Sequence, residues 1–390
     1  MRTDVHNASR LDRRRRRALP AVVLALALFS AFATFARPAS AGSVAKGITD
    51  PLLWSSTPER QANLIREIGP RLHARWVRMQ FAWSDLEPQQ GAYSDAEVER
   101  LDGVVDALAA AKIKVILSVS GMPSWAGDRS WWGVQPPGQS DGPQSYTPIA
   151  SSHLEDFARL GEWIASHFRG RVSAIECWNE PNLWSYIYPQ RTAADPYFAP
   201  RVYLSMLKAF HAGVRRAGTG VQIVAGATAP VGLNDRLRTS PQRFARFLSR
   251  HHAGRWFDVY SHHPYTPGGS VFAAPDRPPN DMTTTVTLYN LRTLLHLFPR
   301  KPFYLTEYGY STQYSIVAAR WVSPRQQAAY LKLAYSYVRR YRQVKLLVWF
   351  LLYDIAPSSG QPSDMGVYSG LRTAGGKRKP AWYAFRALPR

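Results

Sequence analysis

The chain has 390 residues, 45% of them hydrophobic and 13% aromatic, which is enough to bury one large core and too apolar for a disordered chain. Its formal net charge of +22 suggests nucleic acid as a partner, but the arginine-rich excess is scattered and no recognisable nucleic-acid motif accompanies it, so no nucleic-acid partner is expected. Cys177 is the single cysteine, which rules out an intramolecular disulfide and suits a small buried hydrophobe within an apolar run.

Residues 1–41 stand apart from the rest. Arg13–Arg17 form a basic block, Ala18–Ala36 an apolar run and Pro38–Ala41 an A-x-A-like site, which is the order of a secretory signal peptide. A retained anchor is the alternative, but Pro20, Thr34 and Arg37 shorten the apolar run below a full span. Cleavage after Ala41 is expected, giving a secreted or envelope-associated chain, without stable membrane insertion, in which residues 42–390 form one domain. Eight arginines and two aspartates lie in the leader, so the remainder carries about +16, enough for weak attraction to anionic envelope polymers.

Strand-like and helix-like patterns then alternate. A weak strand at Ser43–Ile48 precedes a helix at Thr57–Gly69, and the strand Ala74–Phe81 precedes a helix at Asp95–Ala111. The strand Ile113–Val119, a helix at His153–Phe168 and an apolar run from Arg171 leading to Glu180 follow. Next come a helix at Arg201–Ala217, the strand Val221–Gly226, a helix at Gln242–His251 and the strand Phe257–His262. A helix at Thr284–Phe298, the strand Pro302–Thr306, a helix at Pro324–Tyr341, the strand Val344–Phe350 and a helical tail at Lys379–Leu388 complete the series. Eight short apolar strands alternating with helices predict a parallel sheet closed into a (β/α)8 barrel of the TIM type. A doubly wound open sheet is the alternative, although no G-x-G-x-x-G follows the first strand. The long irregular stretches Gly121–Ala150 and Pro264–Asp281 follow strands, so in a barrel they rise on the C-terminal face where sites are built.

Glu180 lies in ECWNEPNLW (Glu176–Trp184), where Pro181 cannot extend a ladder, so this carboxylate sits at a strand end among tryptophans. Such a glutamate is either an ion-paired or capping group or a tuned catalytic acid. A second carboxylate, Glu307 in YLTEYGYST (Tyr304–Thr312), ends the seventh strand. Strand ends on opposite sides of a barrel mouth converge on its axis, and two convergent carboxylates flanked by aromatics fit glycoside hydrolysis.

The chain resembles retaining glycoside hydrolases of clan A, close to the family 5 and family 39 types. The resemblance rests on WVRMQFAWSDLEP (Trp76–Pro88), GMPSWA (Gly121–Ala126), WNEPN (Trp178–Asn182), HPY (His263–Tyr265), TEYG (Thr306–Gly309) and VWF (Val348–Phe350). It implies Glu180 as acid/base and Glu307 as nucleophile, a β-linked oligo- or polysaccharide as substrate, and no cofactor. It further implies that Arg78 and Tyr265 keep Glu307 ionised, that Asn179 holds the substrate 2-hydroxyl, that His263 completes the polar floor and that Trp349 forms a stacking wall. For Arg78 the alternative is a structural ion pair with Glu176, and for Trp349 it is plain core.

Trp83, Trp125, Trp131, Trp132, Trp184, Tyr186 and Tyr188 fall on or near top-face loops and are candidates for stacking on sugar faces, Trp83 and Trp125 foremost. The pairs His251-His252 and His262-His263 do not predict a metal site, because adjacent residues on a strand face opposite ways and no H-E-x-x-H is present. The relatives' histidine at the end of strand three is replaced by Ser118–Gly121, which leaves the sugar open. A monomer is expected. A non-catalytic carbohydrate-binding protein on the same barrel is the alternative function, and a charge-driven polyanion binder a third.

Overall fold

Eight parallel strands close in sequence order, β1 (Ala45–Thr49) pairing with both β2 (Trp76–Ala82) and β8 (Val344–Phe350). Between them lie β3 (Lys114–Ser120), β4 (Ala174–Glu176), β5 (Gln222–Thr228), β6 (Val259–His262) and β7 (Phe303–Tyr308). The computed structural model describes residues 43–138, 144–266, 274–314, 321–357 and 366–389. The expected signal peptide lies outside the described residues. Among those described, no helix is long and apolar enough to cross a membrane.

A helix follows each strand: α1 (Pro58–Arg66), α2 (Asp95–Ala110), α3 (Leu154–His167), α4 (Phe198–Arg216), α5 (Pro241–Arg250), α6 (Arg292–Leu295), α7 (Pro324–Val338) and α8 (Pro380–Ala387). Local chemistry sets several starts. Thr57 and Ser94 accept backbone N–H bonds at the heads of α1 and α2, and Ser323 with Gln326 forms a reciprocal capping box on α7. Helices α3 and α4 approach closely because Gly213 has no side chain: a Cβ there would lie 1.7 Å from the Ala158 carbonyl oxygen.

The expected helix at Thr284–Phe298 shrinks to the single turn Arg292–Leu295. The β-branched run Thr283–Thr287 disfavours helix, and the Asn290 side chain takes the backbone for itself, accepting from Thr287 N (2.8 Å) and donating to Thr285 O (2.8 Å). Val286 N donates to Pro230 O, so this segment is pinned as a loop beside the β5 end.

Strand parity divides the core in two. Met79, Phe81, Leu117, Ile175, Leu347 and Trp349 face outward into the large cluster under the helices. Trp76, Ile116, Ala174, Val224, Val259, Tyr304, Leu346 and Val348 face inward and fill the barrel as a separate plug. This plug closes the N-terminal end of the barrel interior, so polar residues further along the same inward rows meet above it.

Candidate active site

Two residues beyond the plug, the inward positions turn polar. Arg78 from β2, Ser118 from β3, Glu176 from β4, Ser261 from β6 and Thr306 from β7 are all buried and linked to one another. The Arg78 guanidinium spends its donors on four partners: Nε to Glu176 Oε2 (2.7 Å), Nη1 to Glu307 Oε1 (2.6 Å), and Nη2 to Asn179 Oδ1 (2.6 Å) and Ser118 Oγ (3.0 Å). Both readings of Arg78 are therefore realised at once: it pairs with Glu176 in the barrel and with Glu307 at the mouth. Burial alone would drive Arg78 toward its neutral form, yet the charges of Glu176 and Glu307 reverse that and push its pKa upward. Burial likewise opposes ionisation of Glu176, but the Arg78 and His263 charges with the hydrogen bonds from Arg78 and Thr306 together outweigh it and hold the carboxyl below the usual range.

Glu180 and Glu307 reach the mouth by different backbone devices. β4 ends at Glu176, four residues earlier than the sequence suggests, and the chain then follows β5 loosely through Cys177 N to Val224 O (2.8 Å) and Glu180 N to Ala227 O (3.0 Å). Trp178 and Glu180 adopt left-handed φ values of 69° and 36°, and Ala227 opposite has 43°. Each such non-glycine position costs roughly 1–3 kcal/mol and persists because the surroundings fix it. Pro181, which is barred from ladder bonding, follows the turn. On β7 a register shift between Leu305 and Tyr308 lets Glu307 face the axis while Tyr308 packs outward into the main core.

The two carboxylates meet at His263. Its Nδ1 lies 3.0 Å from Glu180 Oε1 and 3.8 Å from Glu307 Oε2, and one oxygen of each carboxylate lies within 4.8 Å of the other. Burial lowers the His263 pKa, but the charge of Glu307 and the hydrogen bond and charge of Glu180 more than compensate, so the net direction is upward. Tyr265 donates to Glu307 Oε2 at 3.0 Å, and burial together with the Glu307 charge keeps it a phenol. Glu307 thus receives donors on both oxygens, whereas Glu180 has the imidazole as its side-chain partner. Glu180, His263 and Glu307 are also the group among the described residues whose donor atoms converge enough for an ion, but a guanidinium 2.6 Å from Glu307 opposes a metal cation there.

The neighbouring His262 faces away, as strand parity requires. It is held between Thr228 Oγ1 (2.9 Å) and Val286 O (3.0 Å), and burial pushes its pKa down to about 3, which keeps it neutral. Asn179 is oriented by its neighbour: arginine only donates, so Oδ1 must face Arg78 and the amide NH2 turns away from it.

Two expected sugar contacts, Trp349 and Trp83, require correction. Trp349 is fully buried with outward parity, sets its edge against Tyr308 and donates to Ser369 O (3.0 Å); the inward aromatic at the end of β8 is Phe350, half-buried and edge-on to Tyr265. Trp83 is also fully buried, packs on Phe157 of α3 and donates to Glu87 Oε2 (2.7 Å), because the one-turn helix Trp83–Leu86 folds its ring beneath the loop. Trp125 is half-buried, stands edge-on against Trp83 and donates to Glu87 O (3.0 Å), so its indole is fixed within the loop. Tyr186 does belong to the site: it is half-buried, and burial followed by the charges of Glu180 and Glu307 raises its pKa.

Sequence reasoning missed Glu176 as a site residue, together with Thr306, Ser118, Ser261 and Phe350. A signal existed for four of them, since each is a polar side chain inside an otherwise apolar strand run.

A parallel eight-stranded barrel with paired carboxylates at its mouth is the architecture of clan A glycoside hydrolases. The chain belongs to glycosyl hydrolase family 5, whose model, described as cellulase, matches residues 46–353; enzymes of that family act with retention. No curated protein matches its sequence. Among solved structures it is similar to a family 39 glycoside hydrolase from the gut symbiont Bacteroides cellulosilyticus (18% identity, 88% of this chain and 63% of that one, TM-score 0.60). It is also similar to an exo-β-1,4-mannosidase from an Opitutaceae bacterium (18% identity, 88% of this chain and 58% of that one, TM-score 0.57). A family 5 subfamily 18 enzyme from Streptomyces cattleya, in complex with GlcNAc, aligns with 16% identity over 89% of this chain and 80% of its own (TM-score 0.63). The chain spans about three-fifths of the length of the first two, and at these identities the likeness is one of fold.

Proposed function

We propose that this protein hydrolyses O-glycosidic bonds in a β-linked oligo- or polysaccharide by double displacement, with Glu180 as acid/base and Glu307 as nucleophile. The approach of the two carboxylates to within 4.8 Å carries the reading. Retaining enzymes hold their carboxyl groups about 5–5.5 Å apart, whereas inverting enzymes leave about 6.5–9.5 Å for a water. Glu180 delivers its proton to the glycosidic oxygen as the C–O bond breaks and its electron pair passes to that oxygen. A Glu307 oxygen bonds the anomeric carbon. Water then attacks that carbon, gives its proton to the Glu180 carboxylate and releases Glu307. Arg78 and Tyr265 keep Glu307 aligned, the Asn179 amide NH2 is the donor for the substrate 2-hydroxyl, and Phe350 presents the aromatic edge of the sugar site. The leader at residues 1–41 would deliver the enzyme to the envelope or beyond it, where such glycans lie.

The test combines a screen of envelope, plant and microbial β-glycans with proton NMR of the first product. The β-anomer should appear before mutarotation, and an initial α-anomer would refute Glu307 as nucleophile. In a second test, Glu180→Gln should lose roughly 10²–10⁴-fold in kcat/KM on substrates with poor leaving groups. The same variant should form the glycosyl-enzyme almost normally from activated aryl glycosides. Equal loss on both would remove Glu180 from the acid/base role.

A further inference from the structure

The polar layer beneath the mouth determines where a proton sits above it. Glu176 is buried and ion-paired through Oε2 to Arg78 Nε at 2.7 Å, so it is an acceptor only, and its Oε1 lies 2.8 Å from Thr306 Oγ1. The single Thr306 hydroxyl hydrogen is therefore committed to Glu176. Thr306 Oγ1 has two further neighbours, Ser261 Oγ and His263 Nε2, the latter at 3.0 Å, and toward both it has only lone pairs to offer. His263 Nε2 must then carry a hydrogen. If the imidazole is neutral its Nδ1 is bare, and the 3.0 Å contact with Glu180 Oε1 exists only if Glu180 holds the proton. If the imidazole is charged, Nδ1 holds that proton and Glu180 is a carboxylate. In either case one proton is shared by Glu180 and His263.

We infer that Glu176 and Thr306 are positioning residues that fix His263 with its hydrogen on Nε2, so that Glu180 and His263 Nδ1 share the single proton used in catalysis. The inference rests on the reading of Glu180 as acid/base. A carboxylate opposite a bare ring nitrogen binds a proton more firmly than one opposite an N–H donor, so fixing Nε2–H keeps the pair protonated to higher pH. The groups that face His263 are Arg78 from β2, Glu176 from β4, Glu180 from the loop after it, Glu307 from β7, and Tyr265 and His262 from its own segment. Glu180 is the one among them that hydrogen-bonds Nδ1.

Two measurements test this on the full-length protein. Nitrogen-15 NMR with labelled histidine should show His263 protonated at Nε2 whenever it is neutral; a neutral ring with hydrogen on Nδ1 and a bare Nε2 would overturn the inference without any turnover being needed. Thr306→Val removes the acceptor that fixes the ring, so neutral His263 becomes free to donate from Nδ1 to the Glu180 carboxylate. The basic limb of the kcat/KM profile should then move down by about 1 pH unit, a roughly tenfold loss above the limb on poor leaving groups. Activated aryl glycosides should lose little, and Thr306→Ser, which restores the hydroxyl, should return the limb to its place. An unmoved limb in folded Thr306→Val, or no rescue by serine, would also overturn the inference. If instead Glu180→Gln showed no leaving-group dependence while the Nε2–H tautomer held, the acid/base reading would fail and the ring assignment would stand.

Discussion

Glu307→Ala is expected to abolish hydrolysis, with kcat falling on the order of 10⁴-fold or more, the scale on which loss of a nucleophilic centre acts in other hydrolases. The expectation follows from position and wiring together. Glu307 is aimed at the axis by the β7 register shift, and its two oxygens are held by Arg78 at 2.6 Å and Tyr265 at 3.0 Å, leaving nothing equivalent nearby to replace it. The nucleophilic role predicts more than a loss. Alanine opens space for a small anion, so azide should restore turnover of activated β-glycosides and yield the α-glycosyl azide, a single inversion in place of two. A β-glycosyl azide, or substantial hydrolysis without azide, would show that Glu307 does not form the covalent intermediate. Because the carboxylate is removed without disturbing the Arg78–Glu176 pair, the variant should keep its thermal midpoint within a few degrees, which differential scanning calorimetry checks.

The barrel and its two glutamates were legible because short motifs carry them. Alternating periods place the strands, and WNEPN and TEYG mark the fourth and seventh strand ends. Arg78, His263 and Tyr265 followed from the same local patterns, and each now touches a carboxylate. What the motifs do not encode is strand parity. Lys345 is solvent-exposed within β8 and shares parity with Leu347 and Trp349, so it signals that the tryptophan points outward and that Phe350 points in. The same rule would mislead on β3, where exposed Lys114 shares parity with inward Ile116 because it sits at the rim of the barrel over the ring of Trp76. Bulges are harder still. From Thr306, plain alternation would turn Glu307 outward, and nothing in TEYG announces the extra residue that turns it in. Glu176 and Thr306 escaped notice for a related reason: the contacts that tie Glu176 to Arg78 and to Thr306 span 98 and 130 residues, between positions brought together only when the barrel closes.

Arg78→Met should cost both activity and stability, and the pH dependence of the stability loss separates its causes. The side chain is 1% exposed and neutralises two carboxylates, one of which, Glu176, is buried as deeply as Arg78 itself. Removing one partner of a buried ion pair costs about 3–5 kcal/mol, because the remaining charge stays in a low-dielectric site, and in a domain of this size that lowers the thermal midpoint by roughly 5–10 °C. In the wild type the Glu176 carboxyl titrates below its ordinary value of 4.5, so its contribution to stability is present above that pH and is lost as pH falls through the lower folded value. In the variant burial is opposed only by the His263 charge and the Thr306 hydrogen bond, so the folded value moves upward; once it lies above the ordinary value the sign reverses and stability is lost as pH rises. The gap in thermal midpoint between wild type and variant should therefore be small near pH 4 and widen toward pH 7. Activity should fall roughly 10²-fold or more, because Glu307 no longer has the fixed cation that aligns it at 2.6 Å. Double replacement with Glu176→Gln supplies the discriminating control. It removes the stranded buried charge and should recover part of the stability without recovering activity, since Glu307 still lacks its partner. A midpoint gap that does not change with pH, or recovery of activity in the double variant, would show that Arg78 serves packing and that its charge does not govern the nucleophile.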